Sequence, residues 1–198
     1  QPIYSGTIAT DYFKLGDFLG DSKIGIVALN GSVKGKGFNI KTLQTDIDGK
    51  IRFADYNGYR YNNIVLKGKL DKKRFDGQAS IDDPEAQLTL NGIIDFNNAE
   101  EPTFNFLAEV QKANLKKLNL THDDLAFAGK FNLDFTGNSI DNFLGHASIT
   151  DASLSKDGNP LPFDSLIVSS EYINGIKTLT ARYNEFESDI TGNFSILD

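Results

Sequence analysis

Three short stretches of this chain gather side chains able to do chemistry. Asp82-Asp83-Pro84-Glu85 sets three carboxylates within four residues, the raw material of a calcium loop. Asp and Pro are also turn formers for local reasons, and between two alternating runs they read as a hairpin turn. Asp46-Ile47-Asp48-Gly49 opens like an EF-hand loop but lacks the third ligand and the glutamate at position twelve. His122-Asp123-Asp124 offers a base or a metal ligand. The only other histidine is His146, and no serine stands in a Gly-x-Ser-x-Gly context. Cysteine is absent, which removes thiolate nucleophiles, zinc ribbons and disulfide frameworks. No catalytic residue, metal site or cofactor is assigned, and the chain is not expected to be an enzyme.

Composition narrows the partners. Over 198 residues the formal net charge is -7, which argues against a phosphate backbone and hence against nucleic acid. Lys34, Lys36 and Lys41, or Lys112, Lys116 and Lys117, could touch anionic headgroups, but a solvated strand face is the favoured reading of them. Charged residues at 24% beside 39% hydrophobic ones belong to a folded chain. Methionine is absent and the chain begins at Gln1, so a mature form or a piece of a longer protein is expected. The best apolar run, Ile24 to Leu29, holds Gly25 and falls far short of the ~20 residues of a membrane helix.

The elements that must carry any function are strands. Period-two alternation runs almost from end to end, the mark of strands with one apolar and one polar face. Ile64, Leu66, Gly68 and Leu70 alternate with Val65, Lys67 and Lys69; Leu88, Leu90, Gly92 and Ile94 follow, then Phe127, Gly129, Phe131 and Leu133, then Ile190, Gly192, Phe194 and Ile196. Asp55-Tyr56-Asn57-Gly58 predicts a tight hairpin, because Asn and Gly tolerate positive φ. Helix is expected only as short turns: a ragged one over Asp11 to Leu19, a better one from Ser139 to Leu144 with Gly145 behind it, and one near Leu115 to Leu118. The chain reads as one segment over residues 1–198, with its softest boundary at the loop 97–102.

Glycine interrupts the inward series near mid-strand at Gly31, Gly49, Gly68, Gly77, Gly92, Gly129 and Gly192. An interior glycine costs about 0.5–1 kcal/mol against alanine, so its recurrence marks bends, bulges or close approach of another body. Aligned across strands, the glycines would fold the sheet into a trough. Unaligned, they are bends in an ordinary sandwich or barrel.

The segment from Phe75 through Asp82-Asp83-Pro84-Glu85 to Phe96 resembles the repeated strand pairs of the AsmA/TamB-like family in its Bacteroidetes form. Gly137 to Leu154 is similar to that family's recurring element, a Gly, a short turn ending Leu-Gly, then a strand. Leu29 to Phe38 and Phe163 to Ser170 agree, and the resemblance covers the chain from about Leu15. It implies an all-β, elongated, U-shaped antiparallel-rich sheet (a β-taco) with an apolar inner groove and one or two short helical turns. It also implies a periplasmic protein, anchored in the inner membrane by a helix outside this segment. Its expected role is conducting phospholipid between the membranes and supporting outer-membrane protein biogenesis. The implied partners are phospholipid acyl chains, an outer-membrane barrel assembly partner and neighbouring repeats of the same chain. The expected groove lining is Leu66, Leu88, Leu90, Ile94, Phe127, Phe131, Leu133, Phe194 and Ile196, with Gly49, Gly68, Gly77, Gly92, Gly129 and Gly192 at the bends. The rival reading is a closed sandwich or solenoid module of a surface adhesin, whose apolar faces bury one another and bind no lipid.

Overall fold

The computed structural model describes residues 2–139 and 141–192, so Phe194 and Ile196 lie outside the described residues. The chain is all-β. Its strands are β1 (Ile3–Lys14), β2 (Ile24–Lys36), β3 (Gln44–Tyr56), β4 (Tyr59–Asp71), β5 (Arg74–Asp83), β6 (Ala86–Asp95), β7 (Thr103–Asn114), β8 (Leu125–Thr136), β9 (Leu144–Lys156), β10 (Asn159–Leu161), β11 (Leu166–Ile173), β12 (Ile176–Tyr183) and β13 (Phe186–Thr191). They form one open antiparallel sheet in chain order, with β10 attached to β9 off the main path. β6 and β7 pair directly across the loop 96–102. Asn57 and Gly58 make the expected hairpin turn, at φ 50° and 78°.

Side-chain alternation sorts this sheet into an apolar and a polar face. The polar face is stitched by opposite charges: Lys34 lies opposite Asp46, Asp46 opposite Lys69 and Lys69 opposite Asp76. Each such pair contributes roughly 0.2–1 kcal/mol, and a one-residue slip would turn every charge onto the apolar face. Register is therefore specified from both sides.

The sheet is also built twice. A constant offset of 100 residues carries the ladder of β1–β3 onto that of β7–β9: Ile8 opposite Gly31 returns as Ala108 opposite Phe131, and Val33 opposite Ile47 as Leu133 opposite Ala147. The bulge between Thr10 and Phe13 recurs between Val110 and Ala113. The Gly37 amide donates to the Pro2 carbonyl at 3.1 Å, and the Gly137 amide to the Pro102 carbonyl at 3.0 Å. Ala79 opposite Leu90 returns as Leu179 opposite Ile190. Two departures mark the second unit. The counterpart of β4 is broken into β10 and β11 by residues 162–165, which begin with Pro162. The β11–β12 turn, at Asn174-Gly175, also comes two residues later than the β4–β5 turn at Lys72-Lys73.

Among the described residues helix is confined to α1 (Leu15–Leu19), because Asp11 to Lys14 complete β1 instead. Residues 115–119 form the expected turn. The helix expected from Ser139 to Leu144 is not formed by the described residues of that stretch, Ile140 lying outside them. Asn142 Oδ1 accepts the amides of Asn138 and Ser139 and the Ser139 hydroxyl, which fixes a loop, and β9 starts at Leu144. Gly145 is thus a strand residue at φ 125°, not a helix terminator. No helix among the described residues is long and apolar enough to cross a membrane.

Among the described residues, no second layer covers the apolar face. The accessible surface is 12069 Å², against about 9,300 Å² for a compact chain of 21.8 kDa. Fully buried apolar side chains are few, and the cluster Ala86, Ala113 and Leu118 sits at one rim, where the 115–119 turn folds over the sheet.

Candidate functional site

Every described residue of the expected lining lies on the apolar face. Leu66, Leu90 and Phe131 share one cross-strand row, linked through Ala79 and Ala108. Leu133 stands in the next row, opposite Phe106, and Ile94 in the one beyond, opposite Phe104 and through it Phe135. On the other side Leu88 lies opposite Val110, and Phe127 opposite Ala113. All are half-buried, each shielded by its row and not by a facing layer. Phe194 and Ile196 are not placed.

The bend glycines do not form a single line. Gly68, Gly77 and Gly92 stand opposite one another on three successive strands. The same row continues through Phe106, Leu133 and Ala147, which end the glycine seam at β7. Gly49 sits one row over, paired with Gly31. Gly129 faces Val110 beside a bulge, and Gly192 follows β13. Where the seam exists, only glycine fits. A Cβ on Gly77 would stand 2.3 Å from the Lys67 carbonyl oxygen and 2.5 Å from Gly68 Cα.

The face also holds an aromatic series that the expected lining omitted. Phe104 stacks on Phe135 at 4.9 Å between ring centres, Phe135 meets Phe143 at 4.8 Å, and Phe96 closes on Phe104 at 5.6 Å. Toward the other rim Phe131, Phe127, Phe163 and Tyr183 follow one another at 5.5, 6.3 and 5.8 Å. Phe104 and Phe135 carry the same inward parity as their neighbours, and that signal was available in the sequence.

The polar face has a cleft of about 680 Å³, bordered by Lys67, Gln78, Thr89, Asn91, Glu109 and Lys130 and also by Leu90 and Phe131. Its wall mixes charged and amide side chains with the exposed apolar side chains of Val65 and Leu107. His146 Nδ1 lies 3.0 Å from Ser169 Oγ, and Asp134, opposite His146 in the ladder, accepts the side-chain amide of Asn105 at 3.0 Å. The carboxylate is bound on the side away from the histidine, which is not the arrangement of a serine triad.

The carboxylate cluster Asp82-Asp83-Pro84-Glu85 forms a hairpin turn, as expected, but Asp83 does more than turn the chain. Its carboxylate is buried and accepts the Tyr59 hydroxyl at 2.5 Å, the Asn62 amide at 3.0 Å, the Asn62 side chain at 2.8 Å and the Glu85 amide at 2.9 Å. Burial alone would raise the Asp83 carboxyl; these four donors outweigh it and hold it below the usual carboxylate range. Burial, and next the bond to Asp83, push the Tyr59 hydroxyl well up. Asp83 is 1% exposed, and the group anchors the β4–β6 rim.

Comparison with protein-family models, with curated proteins and with solved structures finds no match to this chain.

Proposed function

We propose that the open apolar face is a contact surface for phospholipid acyl chains, in a segment of an AsmA/TamB-like protein. In this reading the segment conducts phospholipid between the inner and outer membranes and supports outer-membrane protein biogenesis. It works in the periplasm, with the parent protein anchored by a helix outside the segment. One observation carries the reading: among the described residues the apolar face, half-buried on the inner strands, has no second layer over it. An apolar face left uncovered along a sheet is the kind of surface that calls for an occupant.

The energetics suit an acyl chain. Burial gives ~0.8 kcal/mol per CH₂, so a sixteen-carbon chain left in water costs on the order of 12 kcal/mol. Rows of Leu, Ile and Phe offer like surface at each step, so a chain can slide without a specific pocket. The phosphate head stays in solvent.

Binding of a phospholipid with a fluorophore on its acyl end tests this. Phe131→Glu and Leu133→Glu place a charge on the apolar face and are each expected to weaken binding about tenfold, or ~1.4 kcal/mol. Thr89→Glu, on the other face, is expected to leave it unchanged. Equal weakening by all three, or no binding by the parent chain, would contradict the reading.

A further inference from the structure

The doubled construction of the sheet bears on its two free edges. β6, the last strand of the first unit, accepts β7, the first strand of the second, as an antiparallel neighbour. β13 is the counterpart of β6, and β1 the counterpart of β7. Among the described residues, each has one ladder edge without a partner strand.

We infer that a second copy of this chain docks β1 against β13, head to tail, in the way β7 docks against β6. Three observations carry this beyond the bare existence of open edges. First, Gly92 and Gly192 share an unusual backbone, φ 141° and 120°, which favours glycine. A Cβ at Gly92 would strike Asn105 and Phe106 of the incoming β7, at 2.3 and 2.6 Å, whereas a Cβ at Gly192 meets nothing within 4 Å. The second unit keeps the glycine whose steric reason, in the first, is the next strand. Second, each unit contributes six strands to the main path, so β13 runs antiparallel to β1 and a translated copy continues the alternation. Third, both edges carry exposed apolar side chains of the parity that forms the apolar face: Ile8 is 41% exposed and Phe186 67%. Joined edges extend that face and cover these residues.

A heterologous contact of this kind grows as an open series, unlike a two-fold pairing of β1 with β1, which stops at the dimer. The test needs no assumed register. Ile8→Lys puts a charge on the β1 edge and Phe186→Lys one on the β13 edge, each inward-pointing and each at an exposed site. Gly6→Lys is a second β1 variant, at a position with open space around it. Circular dichroism confirms that each variant keeps its strands.

Sedimentation velocity of the parent chain is expected to show a concentration-dependent series passing beyond the dimer. Each edge variant alone is expected to remain monomeric. A one-to-one mixture of a β1 variant with the β13 variant is expected to give a dimer and nothing larger, because one open edge survives on each. A monomeric parent chain at all concentrations overturns the inference. So does association of Phe186→Lys alone, which would mean β1 pairs with itself, or a mixture that stays monomeric. The inference itself does not rest on a lipid ligand.

Discussion

Asp83→Ala is expected to lower the free energy of unfolding by about 3–5 kcal/mol, measured as a shifted urea midpoint with unchanged slope. The carboxylate is 1% exposed and is the shared acceptor for the Tyr59 hydroxyl, two Asn62 donors and the Glu85 amide. Removing it strands four donors at once, and a buried donor without an acceptor costs its full desolvation. The same group makes stability depend on pH. Its folded carboxyl titrates below the unfolded value of about 3.9, so its contribution is complete above that value. As pH falls, the unfolded chain takes up the proton first, and the contribution is lost by the time the folded carboxyl protonates. The parent chain should therefore lose stability below about pH 4 more steeply than Asp83→Asn. Parallel pH profiles would show that Asp83 is not held ionised by its donors.

Gly92→Ala is expected to cost about 3–5 kcal/mol, combining backbone strain with overpacking, each of order 1–3 kcal/mol. At φ 141° an L side chain is strained before it meets anything, and here it would meet the Asn105 carbonyl oxygen at 2.3 Å. Gly192→Ala makes the informative comparison, since its φ of 120° carries the strain while the space around it is open. Thermal unfolding should show the Gly92 variant much the more destabilised of the two. Equal effects would mean that close approach of β7 contributes nothing.

Much of the fold could be read from period-two spacing, because each strand half-buries one face and polar residues keep the other wet. Asn57-Gly58 and the turn at Asp82 to Glu85 were legible for the same local reason. The burial of Asp83 was not, since its partners Tyr59 and Asn62 lie more than twenty residues away and belong to β4. The Ser139–Leu144 stretch misled because Ser139 and Gly145 imitate helix ends, while the deciding group is the Asn142 side chain. The duplication was hidden for a different reason. Backbone register is kept across the 100-residue offset, but side chains are not: Gly31 corresponds to Phe131 and Gly49 to Ile149. Gly37 and Gly137, Gly58 and Gly158, and Gly92 and Gly192 retain the residue where the backbone requires it. For the lining, parity placed Leu66, Leu88, Leu90, Ile94, Phe127, Phe131 and Leu133 on one face, yet it could not show that the glycine seam stops at β7.

The proposed lipid contact is tested most directly by photo-crosslinking in a diderm host grown with radioactive phosphate. A photoreactive residue replaces Ile94 or Leu133 on the apolar face, and separately Thr89 or Lys130 on the polar face. The account predicts phosphate-labelled adducts from the first pair and none from the second. Folded protein with no label at any of the four positions, or with label only at Thr89 and Lys130, would contradict it.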